Sequence, residues 1–158
     1  MIKTNENERT SARQLIAPVL TVICLAVMFL LGWLCPIVPV LRFPFNLAGV
    51  CIGGAGLAVC LAAHRQFKQA GTTLYPFSRP GKLVTNGLFR YSRNPMYLGL
   101  TIFLAGAWLV LGCLSPLASV VAFWLIADRW YVANEERRLA DVFGQDYLTY
   151  QAGTPRWL

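Results

Sequence analysis

The stretch Arg90-Tyr91-Ser92-Arg93-Asn94-Pro95-Met96-Tyr97-Leu98-Gly99 runs from a basic, turn-rich loop directly into an apolar segment that continues to residue 112. Asn94 can cap the free N–H groups of a first helical turn, and Pro is favoured at the position after the cap. A helix starting here turns its positive dipole end toward the loop, where it can receive a carboxylate or another anion. A plain helix cap explains the same residues. Further along, Asn134-Glu135-Glu136-Arg137-Arg138 ends another apolar run. Polar groups are costly to keep at the edge of lipid. Two such clusters on one side suggest a site between them.

Outward from this stretch, the 158-residue chain is 56% hydrophobic and 13% charged, against ~25% charged for a soluble domain. Uncharged apolar runs cover residues 15–35 and 45–63, and two further runs cover 96–112 and 116–127, the last continuing into Trp130-Tyr131. This pattern predicts an all-α integral membrane protein of about four transmembrane helices, with a structured cytoplasmic loop and a C-terminal interfacial helix. The first run exceeds a ~7–15-residue signal-peptide core and reads as a retained span. Only Cys113-Leu114-Ser115 joins the last two runs, predicting a tight hairpin with Ser115 as a cap and Pro116 in the first helical turn.

Every lysine and arginine except Arg42 falls on one side of this arrangement. The positive-inside rule places both termini and the long loop in the cytoplasm. The net charge of +7 therefore describes topology and contact with anionic lipid, and argues against a nucleic-acid partner. The five cysteines sit in or beside apolar runs without a CxxC pair, and read as packing residues rather than metal ligands. His64 is the sole histidine, which excludes a Ser-His-Asp triad and a His-based metal site.

The Gly49-Val50-Cys51-Ile52-Gly53 segment, with Gly54 and Gly56 nearby, has the small-residue spacing that lets membrane helices approach closely. Room for a lipid or cofactor tail is the alternative reading. Residues 64–95 form the long loop, with turn signals at Gly71-Thr72-Thr73, Pro76, Pro80-Gly81 and Asn86-Gly87, and a short extended piece at Lys82-Leu83-Val84-Thr85. Helical spacing puts Asp128, Tyr131, Glu135 and Arg138 on one face. Asp128 is expected to pair with Arg129 or a loop arginine, while Glu136, Arg137 and Arg138 read as a solvated helix end. Leu139, Val142, Phe143 and Tyr147 suggest an amphipathic helix on the membrane surface, bent at Gly144.

Four motifs occur in order: Leu83-Val84-Thr85-Asn86-Gly87, Arg93-Asn94-Pro95-Met96-Tyr97-Leu98-Gly99, Glu135-Glu136, and Phe143-Gly144-Gln145-Asp146-Tyr147-Leu148-Thr149-Tyr150. Together they resemble the isoprenylcysteine carboxyl methyltransferase family and its bacterial relatives, including phospholipid methyltransferases. The likeness covers residues from about 71 to 156. It implies S-adenosylmethionine as methyl donor, held by Lys82, Leu83 and Val84, by Phe89, by Asn94, Pro95, Met96 and Tyr97, and by Glu135. Asn94 stands where the eukaryotic enzymes carry His; it keeps hydrogen-bonding capacity but cannot titrate. Tyr131 occupies the position of the arginine that meets the substrate carboxylate, with Arg129 close by, and these two are the candidate catalytic residues. The resemblance further implies a lipophilic small-molecule acceptor, membrane lipids as surroundings, no metal, and a bacterial inner membrane location. It divides the chain into a tail (1–14), an N-terminal helix pair (15–63) and a methyltransferase core (64–158).

The residues suit that chemistry. Glu135 can pair with the donor's ammonium or accept from a ribose hydroxyl, and the Tyr97 and Phe89 rings can attract a sulfonium. In-line methyl displacement needs mainly alignment and dryness, and positioning can lower a barrier by roughly 7–11 kcal/mol. A carboxylate acceptor is already ionised at neutral pH and needs no base. A membrane reductase of sterol-reductase type and a non-catalytic packing protein are the competing readings.

Overall fold

The computed structural model describes residues 16–70 and 82–158. The expected N-terminal tail and the turn signals at residues 71–73, 76 and 80–81 lie outside the described residues. Among those described, every named element is helical. The long elements are α1 (Ile16–Leu34), α2 (Ala48–Gln69), α3 (Pro95–Leu111) and α4 (Leu117–Ile126). A wide π turn (Ala127–Val132) leads without a break into α5 (Ala133–Phe143), and α6 (Gln145–Gly153) follows. Short 3-10 turns occupy Phe45–Leu47 and Gly87–Arg90. The segment at residues 82–85 pairs in no strand.

Two helical stretches, Ala17–Leu34 and Phe45–Gln69, are long and apolar enough to cross a membrane. With 19 residues, α1 rises about 28 Å, close to the ~30 Å of a hydrocarbon core. Its outward face carries Val22, Phe29 and Trp33 exposed. The helix α2 runs past the expected end at residue 63, because Arg65, Gln66 and Lys68 are good helix formers and loss of apolarity does not end a helix.

The glycine stripe of α2 packs against glycines of α3. A methyl added at Gly56 would lie 2.5 Å from the Phe103 nitrogen, and one at Gly99 would lie 2.6 Å from the Cys60 nitrogen. Additions at Gly49 or Gly106 would also run into the facing backbone. Helix contact fills this stripe, so it leaves no room for a lipid or cofactor tail. Gly54, off the stripe, has open space around it.

The main core joins Cys24 and Met28 of α1, Leu104 of α3, and Val120 and Phe123 of α4, with Ala127 of the π turn. Ser119 Oγ donates to the Cys24 carbonyl at 2.8 Å, satisfying a hydroxyl buried between two helices. The α3–α4 hairpin turns at Gly112, whose φ of 68° suits glycine. Ser115 and Pro116 do not form the expected cap. Ser115 Oγ donates to the Leu31 carbonyl at 3.4 Å, Pro116 precedes the helix, and the Ser115 carbonyl accepts from Ala118 N–H at 3.2 Å. The Gly112 carbonyl accepts from Val40 N–H at 2.7 Å, tying the α1–α2 connection to this turn.

Candidate functional site

The site lies where the loop preceding α3, the α5–α6 pair and the chain's last residues meet. Pro95 opens α3 as expected, but Asn94 does not cap it. Its side-chain amide donates instead to the Arg156 carbonyl at 3.2 Å, and its own N–H donates to Ser92 Oγ at 3.2 Å. The Arg156 carbonyl also accepts from Ser92 Oγ at 3.3 Å, and Arg93 N–H donates to the Pro155 carbonyl at 3.0 Å. The C-terminal segment thus competes for the polar groups that would otherwise cap α3, and it straps the helix start in place.

The side chains beneath this strap form a partly buried ionic cluster. Arg156 Nη2 meets Glu136 Oε2 at 2.6 Å, and Arg156 Nη1 meets Asp128 Oδ1 at 3.2 Å. Trp157 Nε1 donates to the same Asp128 oxygen at 2.9 Å. Arg93 Nη1 meets Glu136 Oε1 at 3.0 Å. Asp128 therefore finds Arg156 rather than a loop arginine, with Arg129 farther off at 3.8 Å. Glu136, expected at a solvated helix end, is buried because it neutralises two arginines at once. Both pairings hold Arg156 charged and raise its pKa, Glu136 contributing most.

The π turn explains why the neighbouring glutamates exchange roles. A π turn takes up roughly one additional residue. Its extra residue moves Glu135 off the face of Asp128, where regular helical spacing would put it, and brings Glu136 there. Glu135 faces the other way, into a recess.

That recess is a small cavity of about 30 Å³, partly open to solvent. Among the expected donor-binding residues, Lys82, Leu83, Val84, Phe89 and Glu135 line it. Phe67, Arg93, Leu139 and Tyr150 complete the lining. Asn94 and Pro95 are buried in the strapped helix start, Met96 packs behind Val84 and Phe89, and Tyr97 packs on the main core. Tyr97 stacks on Tyr131 with ring centres 6.2 Å apart and planes 9° from parallel. Arg129 is 80% exposed and lies off the recess.

Glu135 lines the recess with its side chain exposed. Partial desolvation by the protein atoms packed around it raises its pKa; Arg138 opposes the shift and Glu136 adds to it. Phe67 and Phe89 meet with ring centres 5.7 Å apart, forming an apolar wall. Tyr150 hydroxyl donates to the Phe89 carbonyl at 2.5 Å, and burial pushes its pKa up to about 12. Tyr147, expected on a membrane-facing helix, is buried beside Arg93, because the backbone at Gly144 (φ 53°) turns α6 back onto the loop. Phe67, Arg93, Leu139 and Tyr150 were not among the residues assigned from sequence. Arg93 and Tyr150 lie within quoted motifs, whereas Phe67 and Leu139 carry no signal beyond apolarity.

The arrangement is a helical membrane-protein scaffold with an aromatic-walled, acid-bearing recess at the end of its apolar helices. A sequence profile described as phospholipid methyltransferase matches residues 45–146. The chain belongs to this family of membrane methyltransferases. It is 32% identical over 76 residues to the protein-S-isoprenylcysteine O-methyltransferase of Schizosaccharomyces pombe, covering 46% of this chain and 31% of that one. It is 34% identical over 76 residues to isoprenylcysteine O-methyltransferase B of Arabidopsis thaliana, covering 47% of this chain and 38% of that one. These matches take in about a third of the length of the curated relatives. The solved structure of a eukaryotic intramembrane Ras methyltransferase, an isoprenylcysteine carboxyl methyltransferase, is 25% identical with a TM-score of 0.48, over 91% of this chain and 51% of that one.

Proposed function

We propose that this protein uses S-adenosylmethionine to methylate a lipid-like or prenylated small molecule, with a carboxylate as the accepting group, at the cytoplasmic face of a bacterial inner membrane. The reading includes four membrane-crossing helices, α1 to α4, with both termini in the cytoplasm, and residues 64–158 as the methyltransferase core.

The observation that carries it is the convergence of Lys82, Leu83, Val84, Phe89 and Glu135 on one recess. These residues fit the donor: an acid not paired in the ionic cluster suits a cation, and the ring faces suit adenine and sulfonium. When bound, the donor supplies an electrophilic methyl group. Glu135 holds positive charge at the recess wall, and Phe67 and Phe89 exclude water from it. The stacked Tyr97 and Tyr131 border the path by which a lipophilic acceptor enters between α3 and the π turn. Arg129, exposed beside the exposed Trp130, meets the acceptor's charged end at the interface.

Calorimetric titration of the detergent-solubilised protein tests this. Binding of S-adenosylmethionine and S-adenosylhomocysteine, without binding of NADPH, is the expected result, followed by radiolabelled methyl transfer into a membrane lipid extract. Failure of a folded protein to bind either adenosyl compound would overturn the assignment.

A further inference from the structure

The connection between α1 and α2 lies at the end of the bundle opposite the recess, and it is apolar where a loop in water would be polar. Trp33 is 80% exposed, Phe43 78% and Phe45 72%, and Ile37 and Val38 are exposed with them. Leu114 N–H donates to the Ile37 and Val38 carbonyls at 3.0 and 3.1 Å, which brings the exposed Leu114 of the α3–α4 turn into the same patch. A contiguous apolar patch left bare marks contact with a membrane or a partner.

The backbone of this patch is prepared for a dry setting. In hydrocarbon, polar backbone groups must find partners within the protein. Val40 and Leu41 N–H both donate to the Gly112 carbonyl, at 2.7 and 3.2 Å. Cys35, Ile37, Phe45, Asn46 and Leu47 N–H donate to carbonyls of the connection itself or of the α1 end. Pro36, Pro39 and Pro44 have no N–H to place. Asn46 Nδ2 donates to the Val110 carbonyl at 3.1 Å, and Trp108 Nε1 to the Cys113 carbonyl at 2.9 Å. Carbonyls at a helix end otherwise turn to water.

Length and charge point the same way. The 17 residues of α3 rise about 25 Å, against ~30 Å of hydrocarbon. With its start at the recess, its far end stops short of the opposite headgroups, and the connection fills the layer above it. Arg42 is the single charged residue from 14 to 63, and no acidic residue occurs from 9 to 127. Its counter-charge therefore comes from outside this end of the protein. A long cationic side chain set in apolar surroundings reaches out to the headgroup layer.

We propose that residues 36–47 form an apolar wedge seated in the lipid leaflet opposite the recess. Its partner is phospholipid, with acyl chains against Ile37, Val38 and Phe43 and a headgroup phosphate on Arg42. Through the Gly112 carbonyl the wedge sets the depth at which the α3–α4 hairpin sits. The inference rests on α1 to α4 crossing the membrane and is independent of the methyl donor.

The test uses the full-length protein in phospholipid nanodiscs, which leave both faces open to buffer. A phospholipid with a photoactivatable diazirine on its acyl chain is photolysed with the unaltered protein, and the adducts are located by mass spectrometry. Adducts on residues 36–47 as frequent as those on the exposed face of α1 are expected. Adducts on α1 with none on 36–47 would overturn the proposal and leave the membrane-crossing reading standing; adducts on neither would remove that reading and the proposal with it. A second measurement places an environment-sensitive fluorophore on Val38→Cys in the chain whose own cysteines are changed to serine. Nitroxide-bearing lipid should quench it, and aqueous iodide should quench it several-fold less than the same label on Leu158→Cys. Equal iodide quenching at both positions would overturn the proposal, as would a disulfide through residue 38 that joins two copies and shields the label from lipid.

Discussion

Arg156 grips Glu136 with two prongs, Nη2 to Oε2 at 2.6 Å and Nε to Oε1 at 3.2 Å. The chain's third-last residue is thereby bonded to the helix that supplies Glu135. Removing Arg156 leaves Asp128 and Glu136 facing each other's charge, offset by Arg93 beside Glu136 and by the exposed Arg129 beside Asp128. Because Arg156 is 36% exposed, water recovers part of the loss, and Arg156→Ala should cost about 1–3 kcal/mol. Arg156→Lys should recover some of this, since an ammonium cannot reproduce the two-pronged contact. Thermal unfolding in detergent reads the order: parent, Lys variant, Ala variant.

The adjacent glutamates should respond in opposite ways. Glu136→Ala strips the buried Arg93 of its carboxylate and leaves Arg156 to Asp128 alone, and should destabilise by about 3–5 kcal/mol. Glu135→Gln should leave the fold intact and weaken S-adenosylhomocysteine binding roughly 10- to 100-fold, the loss of one charge-assisted contact. Paired unfolding and calorimetry measurements on both variants decide it. Equal binding loss in two folded variants would show that Glu135 has no privileged contact.

The raised pKa of Glu135 sets a pH dependence with a definite sign. Between its ordinary and raised pKa values the folded protein retains a proton that the unfolded chain has lost. Stability is therefore greatest below the ordinary value and declines as pH rises through the raised one. Glu135→Gln should flatten that part of the profile and unfold at higher temperature than the parent on the alkaline side. Affinity for the donor's ammonium should run the other way, rising with pH across the same window as Glu135 ionises. An unchanged slope in the variant would assign the dependence to another group.

Glycine substitutions should separate by face. Gly56→Ala drives a methyl into the α3 backbone and should cost about 1–3 kcal/mol. Gly54→Ala meets open space and should gain up to about 1 kcal/mol from helix propensity. Tm shifts of opposite sign are the expected reading.

Orientation can be tested at two exposed ends. A cysteine replacing Arg42, in a chain whose own cysteines are changed to serine, should react with an impermeant thiol reagent applied to intact cells. One replacing Leu158 should react only after the membrane is opened. Labelling of residue 158 from outside would reverse the proposed topology.

Much of this was legible in the sequence. The uncharged runs announced α1, α2 and α3, the Gly49, Gly53 and Gly56 spacing announced a close helix crossing, and Gly144 announced the bend before α6. Lys82 to Val84, Phe89 and Glu135 were assigned from motifs and do line one recess. What could not be read depends on partners remote in the chain. Asn94 looks like a cap until the Arg156 carbonyl arrives to take its amide. Ser115 looks like a cap until Leu31 offers an acceptor. The places of Glu135 and Glu136 depend on a change of helical pitch that leaves no mark in residue type.

That change of pitch works as an address. A residue is worth about 100° of rotation in a regular α-helix, so the six residues Ala127–Val132 decide which of two identical, adjacent side chains builds the scaffold and which meets the ligand. Deleting one residue between Asp128 and Ala133 would let the helix close to regular pitch, and Glu136, then seven places from Asp128, would keep its face. Winding the same residues as regular α-helix without a deletion would instead turn Glu135 toward Arg156 and carry Glu136 away from both its arginines. In this helix the additional residue and the wide turn are matched, and the site needs both together.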